Sequence, residues 1–269
     1  MDNIVLQQLA EYIYEFCCID YLKNLPSLES KISSRLKELN LSLWEYCGYV
    51  KSDNKEKDIL IELVTVNETY FFREENLLKE LQNTIYPKFK DRTSYNPLRI
   101  WCAACSSGEE PYTLAMMVKE SNLFSEGSVE IIASDINKKV LSKAQGALYN
   151  KKSLSFRKMP EGMIEKYFDE LDEEYKVKED IRKLVKFKHL NMFDKNMKAE
   201  IGKVDIILCR NVLIYFDLES IKKVASSFYD IINPQGYLFL GHAETITSIN
   251  PGFETIYTPS NFYYKKGEI

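Results

Sequence analysis

Two adjacent carboxylates, Glu109 and Glu110, stand in "CAACSSGEEP" (102–111), where a strand-like pattern gives way to a helix-like one. In dinucleotide-binding folds a loop at this position cradles phosphate, but it then carries several glycines, and Gly108 stands alone here. Acids at the positive end of a helix are also stabilised by its dipole, so capping explains them as well as ligand binding does, with Ser106 or Ser107 as the N-cap. A phosphate would be repelled by this loop; a cationic ligand would not. Asp135 ends the next strand pattern, where an acid accepts hydrogen bonds from ribose hydroxyls; the alternative is an N-cap for the helix beginning near Asn137. A nucleoside with a positive centre and no phosphate satisfies both acids, and S-adenosylmethionine is the common cofactor of that description.

Further along, "LCRNVLIYF" (208–216) interrupts an apolar run with Arg210 and Asn211. A buried guanidinium is too costly to lack partners, so both residues are expected to have assigned hydrogen bonds. On pattern alone Tyr215, in the same run, reads as core packing. "VNETYFFRE" (66–74) crowds Tyr70, Phe71, Phe72 and Arg73 together, either as a packed hinge or as the start of an active site. Cys102 and Cys105 form a C-x-x-C, but no second pair accompanies it and neither of the 2 histidines is near, so no metal site is expected. Free thiols are expected for all 6 cysteines.

The elements that must hold these residues fall into two kinds. Residues 1–64 read as helices: Leu6, Leu9, Ile13, Phe16 and Cys17 recur at spacings of three and four, as do Leu28, Ile32, Leu36 and Leu39. Pro26 and "KSDNKEK" (51–57) read as breaks between them. From Leu98 strand patterns (98–105, 129–135, 185–193, 204–212, 236–244) alternate with helix patterns (109–120, 137–148, 219–232). That alternation predicts a mostly parallel sheet covered by helices on both faces, with ligands bound beyond the carboxyl ends of the strands. The charged stretch 146–190 does not fit a simple crossover and predicts a small inserted antiparallel β-subdomain. The resulting division is an N-terminal helical domain and linker over 1–75 and an α/β domain over 76–269.

Composition narrows the partners. With 269 residues, a formal charge of −4 and 45% apolar residues, the chain has the profile of a folded protein with no electrostatic reason to bind nucleic acid or an anionic membrane. The longest apolar stretch, 204–216, is too short to span a bilayer and carries Asp205 and Arg210; the N-terminus has acids where a secretory signal carries bases. A cytoplasmic monomer is the expectation.

Taken together, "NETYFFRE", "WCAACSSGEEPYTLAM", "ASDIN", "LNMF", "LCRNVLIYFD" and "PQGYLFLGHAE" resemble, in order and spacing, the chemotaxis receptor glutamate methyltransferases of the CheR type. The resemblance covers nearly the whole chain. It implies a Rossmann-like class I methyltransferase fold that uses S-adenosylmethionine, releases S-adenosylhomocysteine and esterifies receptor glutamates. Carried over by position, it implies cofactor contacts from Asn67, Thr69, Arg73, Glu110, Asp135, Asn191, Met192, Arg210 and Asn211, and placement of the acceptor carboxylate by Arg73 and Tyr215. Phe71 and Phe72 would pack the domain junction.

The family docks receptors through a basic helix of the N-terminal domain, for which Lys31 and Arg35 are the candidates here, although acids outnumber bases over residues 1–64. Members that grip a C-terminal pentapeptide tether carry a longer, glycine-bearing turn in the inserted subdomain; "YFDELDEEYKVK" is short and has no glycine, so no tether is expected. Two other readings of the residues remain: a methyltransferase for another protein or a small molecule, and a non-catalytic module that senses the cofactor or its product.

Overall fold

The apolar stripe read in residues 6–17 becomes the buried face of helix α1 (Asp2–Cys17), with Leu6, Leu9, Ile13 and Cys17 all in the interior. The computed structural model describes residues 2–249, 251–259 and 261–268. Three more helices complete this layer: α2 (Leu25–Leu39), α3 (Leu43–Ser52) and α4 (Asn54–Val64). Their shared core joins Leu28, Ile32, Tyr46, Val50, Leu60 and Val64 to α1. Pro26 is not a break. It lies in the first turn of α2, where its missing N–H costs nothing, and Asn24 caps the helix by accepting from Ser27 N. Within 51–57 only Asp53 leaves helical geometry, and its side chain caps α4 by accepting from the backbone N–H of Lys55 and Glu56.

The two cations expected to face a receptor are also bonded within the helical layer. Arg35 makes a two-pronged ion pair with Glu56 (Nε–Oε1 2.9 Å, Nη2–Oε2 2.6 Å), a carboxylate that is itself buried, and Lys31 donates to the Leu63 carbonyl. A guanidinium that compensates a buried carboxylate cannot leave it without stranding that charge, so these cations hold α2 to α4.

Helices α5 (Glu75–Glu80), α6 (Glu109–Ser121), α7 (Lys138–Gly146), α8 (Met163–Tyr167), α9 (Glu179–Arg182), α10 (Met197–Ile201) and α11 (Leu218–Ile231) follow. They alternate with strands β1 (Leu98–Ala103), β2 (Val129–Asp135), β3 (Leu148–Asn150), β4 (Phe168–Glu170), β5 (Glu174–Val177), β6 (Val185–His189), β7 (Val204–Cys209), β8 (Ile232–Leu240), β9 (Glu254–Tyr257) and β10 (Phe262–Lys265). The main sheet has the order β6-β2-β1-β7-β8-β10-β9, parallel from β6 to β8, with the final pair running as antiparallel additions. This is the Rossmann-like class I methyltransferase architecture expected from the alternating pattern; β9 and β10 are additions that the pattern did not suggest. Its central strands are buried on both faces, and Trp101 in β1 packs edge-on against Phe228 of α11 while donating to Ser134 Oγ. Trp44, in the helical layer, is 73% exposed.

The insertion is a three-stranded antiparallel sheet of order β3-β5-β4. Phe71 packs here, its ring 4.9 Å from Tyr149, 5.4 Å from Phe156 and 5.3 Å from Phe168. The phenylalanine therefore anchors segment 66–74 to the inserted sheet and not to the N-terminal helices, because the aromatic partners lie on that side. The N-terminal layer meets the sheet elsewhere: Tyr14 OH donates to Asp217 at the N-cap of α11, and Lys138 and Lys139 of α7 pair with Asp58 and Glu62 of α4.

Candidate active site

Strand order reverses between β1 and β7, which opens a crevice at their carboxyl ends. The chain lining it is held in costly conformations. Of the ten non-glycine residues with positive φ among those described, five cluster here: Phe72, Glu74, Ala104, Ser106 and Asn211. Left-handed backbone costs an L-residue about 1–2 kcal/mol, so such a cluster persists only where surrounding contacts enforce it. One enforcing group is Glu244, a buried carboxylate in the loop after β8. It accepts four backbone N–H groups at 2.7–2.8 Å, those of Asn211, Val212, Leu213 and Gly241. A Cβ at Gly241 would come within 2.7 Å of Glu244 Oε2, so glycine is required for that approach.

The turn into α6 differs from expectation. Neither Ser106 nor Ser107 caps the helix; the N-cap is Gly108 at φ +92°, and Ser107 Oγ instead donates to Glu109. A Cβ at Gly108 would meet Ala144 Cβ at 2.8 Å. Asp135 is not the cap of α7 either, since Asn137 fills that position. Asp135 accepts from Ser106 N (2.8 Å) and Asn137 N (2.9 Å), which fixes the β1 and β2 loops to each other and leaves its other lone pairs free. Burial pushes its carboxyl pKa up, against the pull of those backbone donors.

Behind these loops Arg210 has the assigned bonds that its position demanded. It donates to Glu110 Oε2 (2.7 Å) and the Arg73 carbonyl (2.6 Å), and Glu74 Oε2 lies 3.2 Å from Nη2. Burial raises the pKa of Glu110 while Arg210 opposes the shift. Burial acts on Glu74 in the same sense, but Arg210, His242 and Asn211 outweigh it and leave its pKa lowered. Arg210 Nε is buried without a hydrogen-bond partner, a donor that an acceptor on a bound molecule would satisfy.

All ten residues singled out in the sequence line a single cleft of about 1120 Å³, open to solvent: Asn67, Thr69, Arg73, Glu110, Asp135, Asn191, Met192, Arg210, Asn211 and Tyr215. Besides Glu110, Asp135 and Arg210, the asparagines among them also use their side chains on the protein itself, Asn211 by donating to Glu74. Asn67 donates to Thr65 Oγ1; Asn191 donates to the Phe16 carbonyl (2.6 Å) and accepts from Phe193 N (3.0 Å). Arg73 donates to the Glu68 carbonyl, leaving most of its guanidinium free. Tyr215 is half-buried; burial raises its phenol pKa and Arg73 opposes the shift. Sequence reasoning missed Cys17 and Ile19, which bring the N-terminal layer into the lining, and the edge-to-face pair Phe193–Phe216, 5.1 Å between centroids. It also missed Glu74 and Glu244. The "HAE" tripeptide was visible, but only the fold reveals a ring of amides around its acid.

The cysteines offer no reactive centre here: Cys102 and Cys105 are buried within the apolar core, burial lifts both thiols well above their ordinary pKa, and all six thiols are free. The cleft instead offers carboxylates with spare lone pairs at one wall, guanidinium donors beside them, an unsatisfied buried donor and aromatic edges. That set fits a cationic nucleoside bearing an amino-acid end. The family model described as "CheR methyltransferase, SAM binding domain" matches residues 67–262. The chain is 37% identical, over 90% of its length and 88% of the relative's, to a chemotaxis protein methyltransferase of Borreliella burgdorferi. It is 36% identical to chemotaxis protein methyltransferase 2 of Vibrio cholerae over 82% of this chain and 77% of that one. Chemotaxis protein methyltransferase Cher2 of Pseudomonas putida is 28% identical over 98% of both chains. A family match across most of the chain, on a cleft whose charges suit that cofactor, means that the protein belongs to the CheR methyltransferases and uses S-adenosylmethionine.

Proposed function

We propose that the protein methylates glutamate side chains of chemotaxis receptors, forming methyl esters and releasing S-adenosylhomocysteine. The observation that carries this reading is the presence of Arg73 and Tyr215, a cationic and a neutral donor, in the same cleft as Glu110 and Asp135. The chemotaxis names of the relatives support the choice of acceptor. When bound, the cofactor supplies an electrophilic methyl carbon on a sulfonium. Asp135 then takes the ribose hydroxyls with its spare lone pairs, and Glu110 the ammonium of the amino-acid end. Arg210 and Arg73 provide donors for that end's carboxylate, while Asn191, Met192 and Phe193 form the wall against the base. Asn67, Thr69 and Asn211 close the remaining contacts.

The acceptor needs no general base, because a glutamate with a pKa of about 4.3 is already ionised at neutral pH. Arg73 holds it by a charge-assisted hydrogen bond, and Tyr215, a phenol that is protonated at neutral pH, by a neutral one. Holding the oxygen in line with the methyl group is the main contribution, and positioning of this kind is worth up to roughly 7–11 kcal/mol. No helix among the described residues is long and apolar enough to cross a membrane, and we place the protein in the cytoplasm as a monomer acting on the receptors' cytoplasmic part, without a pentapeptide tether.

Incubation with labelled cofactor and a receptor preparation tests the reading. Label released from receptor by mild alkali, as an ester requires, is the expected result. Alkali-stable label, or label only on another protein or a small molecule, overturns it. Tight cofactor binding without turnover would make the protein a sensor.

A further inference from the structure

Tyr70 carries two guanidinium groups at the mouth of the cleft. Arg73 Cζ lies 5.5 Å from its ring centre and Arg157 Cζ 3.8 Å, contact distances at which a cation is attracted to the ring face. Both arginines also hold Glu68: Arg73 Nη1 donates to its carbonyl, and Arg157 Nη2 to its carboxylate at 2.7 Å. Arg73 faces the proposed acceptor, whereas Arg157 comes from the inserted subdomain and does not line the cleft. Its loop is fixed, because Phe71 N donates to the Ser155 carbonyl and Ser155 Oγ donates to the buried Glu109. Glu68 is 65% exposed, and an ion pair with so exposed a partner contributes little to stability, so the Glu68 contact by itself gives the fold little need for Arg157. What the arrangement does provide is a planar donor, preorganised on an aromatic face beside the acceptor-binding arginine.

We infer that Arg157 recognises a second carboxylate, one belonging to the polypeptide around the acceptor glutamate, and thereby selects acidic segments over isolated carboxylates. This rests on the proposed glutamate methylation. An incoming carboxylate exchanges with Glu68 for the guanidinium, which remains seated on Tyr70. Recognition at this rim strengthens substrate binding and leaves the alignment by Arg73 and Tyr215 unchanged, so it is read in KM and not in kcat.

The test uses the full chain and two purified receptor cytoplasmic fragments, one natural and one with the acids flanking each acceptor changed to Asn or Gln. For the wild type, KM should be lower on the natural fragment, on the order of tenfold, the worth of one charge-assisted hydrogen bond. Arg157→Gln should remove that difference with kcat and cofactor affinity unchanged. If both fragments are esterified and Arg157→Gln keeps the wild-type KM ratio, this inference alone is overturned. If the wild type esterifies neither, the parent reading falls and takes this one with it.

Discussion

Tyr215→Phe removes one hydroxyl from a half-buried phenol and leaves the cofactor's charged contacts in place. It should lower kcat roughly 10- to 100-fold, the worth of a hydrogen bond to a charged group, with little change in cofactor affinity. Arg73→Ala should reduce both, because its guanidinium serves cofactor and acceptor together. Turnover assays paired with calorimetry separate the two cases, and wild-type turnover in both variants would remove these assignments. Glu244 does not line the cleft, yet its two oxygens hold four amides that shape the Arg210–Tyr215 loop. In Glu244→Gln one oxygen becomes an NH₂ that opposes two of those donors, which should cost about 2–6 kcal/mol in urea unfolding, since each buried donor left unpaired costs about 1–3 kcal/mol. An unchanged unfolding midpoint would contradict the clamp. Residues marked by an odd chemical type in an apolar run, such as Arg210, were legible in the sequence. Glu244 was not, since its partners are backbone groups drawn from two loops.

Elements built on a repeating pattern were equally legible. The stripe of α1 and the strand–helix alternation from β1 to β8 follow from periodicity, which depends only on neighbours along the chain. Elements fixed by distant partners were not: the final antiparallel pair β9 and β10 has short strands with mixed burial, and the direction in which Phe71 packs depends on Tyr149 and Phe168, far along the sequence. The helix caps shifted for a related reason: Gly108 takes a left-handed conformation and also leaves room for Ala144, which a Cβ would meet at 2.8 Å. Phe71 is fully buried in that aromatic group, so Phe71→Ala should destabilise the protein by about 3–5 kcal/mol and free segment 66–74 from the inserted sheet. Hydrogen exchange should then show faster exchange in both segments; faster exchange confined to the N-terminal helices would place the anchor elsewhere.

At the scale of the molecule, the cleft is lined by several parts of the fold: Cys17 and Ile19 from the end of α1 and the loop after it, Tyr70 from the connecting segment, and Asp135 and Arg210 from the carboxyl ends of β2 and β7. Its electrostatics set a pH response. Glu110 and Asp135 have carboxyl pKa values raised by burial, so as pH falls they take up protons before ordinary carboxylates do. Protonation removes the negative charge that favours a sulfonium nucleoside, and binding therefore weakens in that direction. Calorimetry between roughly pH 8 and pH 4 should find cofactor affinity falling from above the usual carboxylate range, and a fall confined to that range would show that neither acid is shifted.

The two tryptophans divide along the same lines. Trp101 is fully enclosed and bonded to Ser134, which lines the cleft, whereas Trp44 stands in solvent on the helical layer. Iodide should quench the second and spare the first, so that the emission surviving the quencher comes from an indole one hydrogen bond away from a residue of the cleft wall. The unlabelled protein thus contains one indole enclosed beside the cleft wall and a second on its outer face, two signals that the quencher separates.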